Sequence, residues 1–397
     1  MKFSKRIQQV QPSMTLAIDA KARELRAKGE DIIGFGAGEP DFATPGNVKN
    51  AGMEAIRSNQ TRYTPVAGTP ELKDAIITKL KNENGLDYQA NQIVVSCGGK
   101  HSFYNLAQVL WEAGDEVIIP APYWVSFPEI VRLSGALPVI VNTTLESDFK
   151  ISPVQLKEAI TANTRAVLIN SPSNPTGSAY SRQELDALAE TALKAGLLII
   201  SDEIYEKIIF DGFSQHSIAS LDKEIQRNCV VLNGVSKAYA MTGWRIGYMA
   251  AQPEIAAAVT KLQGQSTSNP CSISQSAAIE ALTGPQDEVK RQAEEFQKRR
   301  DYLLERFDKI PGVSCYKPVG SFYSFPSFSG VFGKRFKEKI INGSLALTEF
   351  LLQEAKVALV PGIAFGADSH TRVSFATSKE ILSKGLDRIA DALDSLR

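Results

Sequence analysis

The sequence predicts an α/β protein: a large domain with a mainly parallel central sheet flanked by helices, and a smaller α/β domain. Three observations lead there. Strand-like and helix-like segments alternate between about residues 69 and 200, with turn residues between them. After about Pro285 that rhythm gives way to a long charged helical run. The chain has 397 residues, which at roughly 150 per domain leaves room for about two or three domains and a cleft. The expected division is an N-terminal arm that joins the small domain (1–45), the large domain (46–285) and the small C-terminal domain (286–397).

The elements follow in order. Thr69-Pro70 reads as an N-cap and first helical position, and Gly85 closes that helix. Ile93-Val94-Val95 reads as a strand, followed by Gly98-Gly99-Lys100 and an apolar-periodic helix through Leu110. Glu116 to Pro120 is a further short strand. Ser152 with Gln155 forms a capping box for a helix ending near Ala162, and Ser181 with Glu184 forms another for a helix that Gly196 ends. Ala166 to Asn170 and Leu197 to Ile200 are apolar runs of the buried-strand type. Past Pro285, a charged helix spans about Asp287 to Lys309. Strand-like pieces then surround a helix near Ser344 to Glu354.

Composition excludes several functions. Forty-four basic residues balance 44 acidic ones, which argues against nucleic acid as a partner. The four cysteines lie far apart with no CxxC pair, and the three histidines have no metal-ligand spacing. These features point to reduced thiols of a cytoplasmic protein and to no metal site. The first thirty residues show no apolar core of a secretory signal, and no apolar run approaches the roughly 18 residues of a membrane span.

In parallel sheets, ligands bind beyond the carboxyl ends of the strands, and the unusual residues of this chain fall there. Asp202 ends the run Leu197–Ser201; it reads either as a cap or as a buried anion that holds a proton or cation on a ligand. Lys237 follows another apolar run and sits among small and aromatic residues. A lysine kept from water has a lowered pKa and is a nucleophilic amine. Arg245, between Gly243 and Gly247, is placed to approach a phosphate closely. Asn170 to Gly177 is a rigid Pro- and Asn-rich turn. Arg372 enters an apolar strand, where it needs an anionic partner. Two tempting motifs fail. The run Gly34 to Glu39 has Glu where a dinucleotide fingerprint needs its last glycine, and Gly98 to His101 lacks most of a P-loop.

Taken together, Ala37 to Phe42 (AGEPDF), Pro122 to Trp124 (PYW), Asn174 to Gly177 (NPTG) and Ser236 to Tyr248 (SKAYAMTGWRIGY) resemble the fold-type I, class I aminotransferases that depend on pyridoxal 5'-phosphate. Within them, the chain is most similar to the bacterial aspartate aminotransferase branch that includes aspartate/prephenate enzymes. The resemblance runs from about Gln11 to Thr377.

The resemblance implies a role for each residue. Lys237 would bind the cofactor covalently and then carry the substrate proton. Asp202 would pair with the pyridine N–H, and Asn174 and Tyr205 with the cofactor phenolate oxygen. Arg245, the amides of Gly99, Lys100 and His101, and Ser236 would hold the phosphate, with Tyr63 arriving from the neighbouring subunit of a homodimer. Trp124 would stack on the ring. Arg372, helped by Gly38, would clamp the substrate α-carboxylate. For the distal carboxylate of aspartate the candidates are Lys100 and Thr15, with Ser13 beside it. The expected reaction is L-aspartate plus 2-oxoglutarate to oxaloacetate plus L-glutamate. Gln11 stands where many prephenate-using relatives have lysine.

Overall fold

The computed structural model describes residues 2–397. Its centre is a seven-stranded sheet made of β2 (Ile93–Ser96), β3 (Glu116–Ala121), β4 (Leu137–Asn142), β5 (Thr164–Asn170), β6 (Leu198–Asp202), β7 (Cys229–Gly234) and β8 (Gly247–Ala250). The order across the sheet is β2-β8-β7-β6-β5-β3-β4. All pairings are parallel except those of β8, which runs antiparallel to both neighbours.

The strands read as continuous apolar runs because both faces of the sheet are covered. Alternate residues enter opposite cores. Ile93, Val95, Val167, Ile199, Val231 and Tyr248 pack on one face, under the helices Pro70–Asn84, Arg182–Lys194 and Ser272–Thr283. Val94, Val117, Leu168, Ile200, Val230 and Met249 pack on the other, under Gly99–Leu110, Ser126–Ser134 and Pro253–Ser266.

The local signals act as expected. Thr69 accepts the Leu72 N–H, and Gly85 takes the left-handed conformation with φ 68°. Both capping boxes form. Some ends differ: the helix that starts at Pro153 stops at Ala159, the charged helix spans Asp287–Phe307, and the helix from Ser344 widens into a π turn over Leu351–Ala355.

A third core lies apart from the large sheet. It joins Phe296, Leu303 and Phe307 of the charged helix to Leu347, Leu386 and Ile389, with Phe35 from the N-terminal segment. Here β1 (Ile33–Gly34) pairs in parallel with β12 (Val357–Ala358). β13 (Val360–Pro361), β14 (Thr371–Ser374) and β9 (Tyr323–Ser324) form an antiparallel sheet. A hairpin of β10 (Arg335–Phe336) and β11 (Lys339–Ile340) lies nearby in sequence. Among the described residues no helix is long and apolar enough to cross a membrane, and no cluster of potential metal ligands occurs.

Arg300 fastens the charged helix to the connection between β6 and β7 of the large sheet. Its side chain is wholly buried, and it grips Asp211 with two N–H groups at 2.7 and 2.9 Å. Hydrogen bonding to Arg300 holds the Asp211 carboxyl down at about 2. A depressed carboxyl pKa contributes stability above the unfolded value near 3.8, and that contribution is lost as pH falls through about 2. Asp211→Asn is therefore expected to lower the melting temperature at pH 7 and to flatten its pH dependence between about 4 and 2. Thermal melts at a series of pH values check this; an unchanged acid limb would contradict it.

Candidate active site

Register places the site. Asn170 pairs with Asp202 across β5 and β6, Asp202 with Leu232 across β6 and β7, and Gly247 with both Gly234 and Ser96. The ends of these strands therefore meet at one edge. There they open into a cavity of about 580 Å³ that also takes in the N-terminal segment, Tyr323 and Arg372. Of the residues singled out from the sequence, Gly38, Thr15, Gly99, Lys100, Trp124, Asn174, Asp202, Tyr205, Ser236, Lys237, Arg245 and Arg372 line it. Tyr63 does not, being 91% exposed. His101 lies behind the lining, where its Nδ1 accepts the Cys97 N–H.

The floor carries one anion. Asp202 accepts a single backbone N–H, from Ile204 at 3.2 Å, and has no ion-pair partner among the described residues. Burial pushes its carboxyl up to about 7, against the pull of that N–H and of Lys237. No helix follows Asp202, so its capping role reduces to this one turn. Lys237 donates to the Gly38 carbonyl and lies 5.8 Å from the Phe322 ring. Burial and then the Arg372 charge push its amine down to about 8.

At one end the helix Gly99–Leu110 points its start into the cavity. The Gly99 and Lys100 amides have no backbone acceptor among the described residues, whereas that of His101 is already spent on the Gly98 carbonyl. Arg245 stands over this helix start, fixed by bonds to the Thr242 and Cys97 carbonyls at 2.8 and 3.2 Å. Glycines allow the approach. A Cβ on Gly98 would strike the Arg245 guanidinium, and one on Gly247 would strike the Gly99 amide. Amides at a helix start and a guanidinium suit a phosphate.

At the other end Arg372, 3% exposed, donates to Asn174 Oδ1 at 3.1 Å and to the Gly36 carbonyl at 2.8 Å. Its guanidinium lies 4.4 Å from the Tyr323 ring centroid. Its Nε–H is buried with no hydrogen-bond partner among the described residues, a donor that the chain itself leaves unsatisfied. Lys100 lies 5.0 Å over the Trp124 ring and has no acidic partner among the described residues. Burial, with Arg245 nearby, lowers its pKa.

Several lining groups carried no sequence signal. Tyr323 accepts the Tyr205 hydroxyl at 3.3 Å, yet in sequence it reads as one more aromatic core residue. Asp19, Arg23 and Arg26 come from the N-terminal helix Met14–Ala27. Glu39, which breaks the dinucleotide fingerprint, accepts the Thr242 hydroxyl at 2.7 Å.

Residues 30–389 match the family model described as aminotransferase class I and II. The chain belongs to that family. It is 49% identical over 392 residues to an aspartate aminotransferase of Geobacillus stearothermophilus, covering 98% of each chain. It is likewise 49% identical over 394 residues to a probable aspartate/prephenate aminotransferase of Rickettsia conorii, covering 99% of this chain and 98% of that one. Among solved structures, an aspartate aminotransferase from Rhizobium meliloti superposes with a TM-score of 0.97 at 43% identity, over 100% of both chains. One from Thermus thermophilus with maleate gives 0.92 at 40% identity, covering 99% of this chain and 100% of that one.

The family's enzymes use pyridoxal phosphate, and the cavity fits it. An anion without a cation faces the centre, a cradle of amides and guanidinium stands at one end, and an amine of lowered pKa lies between. The state of that amine is directly measurable. In protein without cofactor, Lys237 should react with an amine-selective reagent half-maximally near pH 8, well below the ordinary lysine value of 10.5. Peptide mapping across a pH series reads this, and a midpoint at or above 10.5 would contradict the burial argument.

Proposed function

We propose that the protein transfers the amino group of L-aspartate to 2-oxoglutarate, giving oxaloacetate and L-glutamate, with pyridoxal phosphate bound between Asp202, Lys237 and Arg245. The observation that carries the reading is the juxtaposition of a buried, unpaired carboxylate and a buried amine in one cavity with a phosphate cradle.

Bound there, pyridoxal phosphate supplies a carbonyl that takes up the amino group and a ring that stores the electron pair released at the substrate Cα. The chain supplies the rest. Asp202 would hold the ring nitrogen protonated, which would answer its own charge. Asn174 and Tyr205 would hydrogen-bond the ring oxygen, and Trp124 would lie against the ring. Arg245, Ser236 and the amides of Gly99 and Lys100 fix the phosphate. Lys237 would be the attachment point, and its freed amine would hold and move the proton between the substrate Cα and the carbon that bore the cofactor's carbonyl. A pKa near 8 suits that exchange at neutral pH.

Arg372, which lines the cavity, would hold the α-carboxylate with its planar fork. Lys100 and Thr15 line the same cavity and are assigned to the distal carboxylate, with Gly38 completing the α-carboxylate end. Six basic side chains line the cavity against three acidic ones, which favours a dianionic substrate. The Thermus relative carries maleate, itself a dicarboxylate. Gln11 stands where many prephenate-using relatives have lysine; it does not line the cavity, and its backbone N–H donates to Glu129 at 2.8 Å. That favours aspartate over prephenate as the working substrate.

The site is assigned to a homodimer. Tyr63 lies outside its own cavity, and Met53 and Ile56 on the preceding helix Gly46–Arg57 are 46% and 55% exposed; a second copy would cover such apolar side chains while bringing its tyrosine to the phosphate. The four free thiols suit a reducing cytoplasm.

Lys237→Ala should abolish the covalent cofactor absorbance and lower turnover by several powers of ten; wild-type turnover would refute the assignment. Lys100→Ala should lower kcat/KM for aspartate about 10- to 100-fold, from the loss of a charged contact, and change that for alanine little. Steady-state assays over a panel of aspartate, glutamate, alanine and phenylalanine, with prephenate as acceptor, decide this. Equal losses for aspartate and alanine would move the distal carboxylate elsewhere.

A further inference from the structure

Next to the cavity-lining Asn233 lies a buried ion pair that the proposed reaction does not use. Lys79, from the helix Pro70–Asn84, has a side chain 2% exposed, and that of Glu206 is 10% exposed. The two are in direct contact. Asn84 bridges them, accepting from Lys79 at 2.7 Å and donating to Glu206 at 2.7 Å. Glu206 also accepts the side-chain N–H of Asn233 at 2.8 Å, and Asn233 Oδ1 takes the Gly234 N–H at 2.7 Å.

The position of this link gives it its significance. Glu206 directly follows Tyr205 and lies four residues after Asp202. Asn233, 2% exposed and lining the cavity, lies four residues before Lys237. The ladder between β6 and β7 ends at the Glu203 N–H to Leu232 carbonyl bond. Beyond it the two chains part, one carrying Tyr205 and the other Ser236 and Lys237. The bond from Asn233 to Glu206 is the only side-chain hydrogen bond between residues 203–206 and 232–237 among the described residues.

We infer that Glu206, clamped by Lys79 and gripping Asn233, is a positioning residue that sets Lys237 relative to Asp202 and Tyr205. The clamp is charged and stays so. Burial works against the Lys79 ammonium, but the Glu206 carboxylate more than offsets it and holds it above its ordinary value. Burial likewise opposes the Glu206 carboxylate, and Lys79 holds it below its own. The other ionisable groups facing the cluster are Glu83, Glu203, Tyr239 and Tyr248. Burial raises Glu203 to about 7 and raises both tyrosines.

The inference rests on the reading of Lys237 as the cofactor lysine, so wild type and Lys237→Ala are measured alongside. Two variants of the holoenzyme test it: Asn233→Ala, which cuts the link and spares the ion pair, and Lys79→Met/Glu206→Leu, which replaces the pair with apolar groups. Both are expected to move the midpoint of the pH-dependent change in resting cofactor absorbance by about half a pH unit or more. Both should lower kcat about 10- to 100-fold, as a small misplacement of a reacting group does, with KM for aspartate nearly unchanged. If both variants keep the wild-type midpoint and kcat, whatever their melting temperatures, the cluster is a structural ion pair and the inference fails. If the double variant does not fold, Asn233→Ala decides alone. Wild type lacking any absorbance change that Lys237→Ala removes would instead defeat the reading of Lys237.

Discussion

Asp202 and Lys237 stand at the ends of adjacent strands in one cavity, and neither is given enough partners to carry its charge comfortably. Burial drives both toward neutrality, the acid up to about 7 and the amine down to about 8. A folded chain tolerates such groups when the missing partner comes from outside. The remaining architecture maintains this arrangement. Parallel pairing brings β6 and β7 side by side, helices close both faces of the sheet, and Arg372 and Arg245 bracket the space between.

Much of this was legible in the sequence because its signals are local. Thr69-Pro70 with Gly85, and the boxes Ser152/Gln155 and Ser181/Glu184, satisfy a helix's own end groups and need no tertiary context. Asp202, Lys237 and Arg372 stood out because a charge directly follows or interrupts an apolar run. What stayed hidden was non-local. The antiparallel course of β8 depends on strand order, which no single segment encodes. Tyr323 looks like core and Glu206 like a surface charge; each gains its meaning from a partner more than 100 residues away in sequence, Tyr205 or Lys79. Tyr63 carries no local signal, and its own chain gives it nothing to do.

The even balance of charge also acquires a structure. Arg300 is more buried than Arg372, yet Asp211, Asp301 and the Pro318 carbonyl engage its donors. Arg299 is similarly engaged by Asp41 and Glu295. Burial alone therefore does not mark a functional arginine. The distinction lies in donors left over: Arg372 keeps a buried N–H unused, and Lys100 has an aromatic face in place of a counter-ion. Paired cations hold the fold together, and cations with spare capacity gather where small anions would enter.

The reversed course of β8 has one more effect. Parallel strands must be joined by a long crossover, whereas antiparallel neighbours can be joined at the same edge. Because β8 doubles back beside β7, the segment from Val235 to Ile246 leaves and re-enters the sheet at the paired glycines Gly234 and Gly247. Lys237 and Arg245, proposed above for the attachment and the phosphate, thus share one short loop closed at its base. Their separation is set locally, by that loop and the strand pair that closes it. Insertions in this loop would change the distance between the two ends of a rigid molecule, whereas insertions in the outer crossovers would leave that span intact.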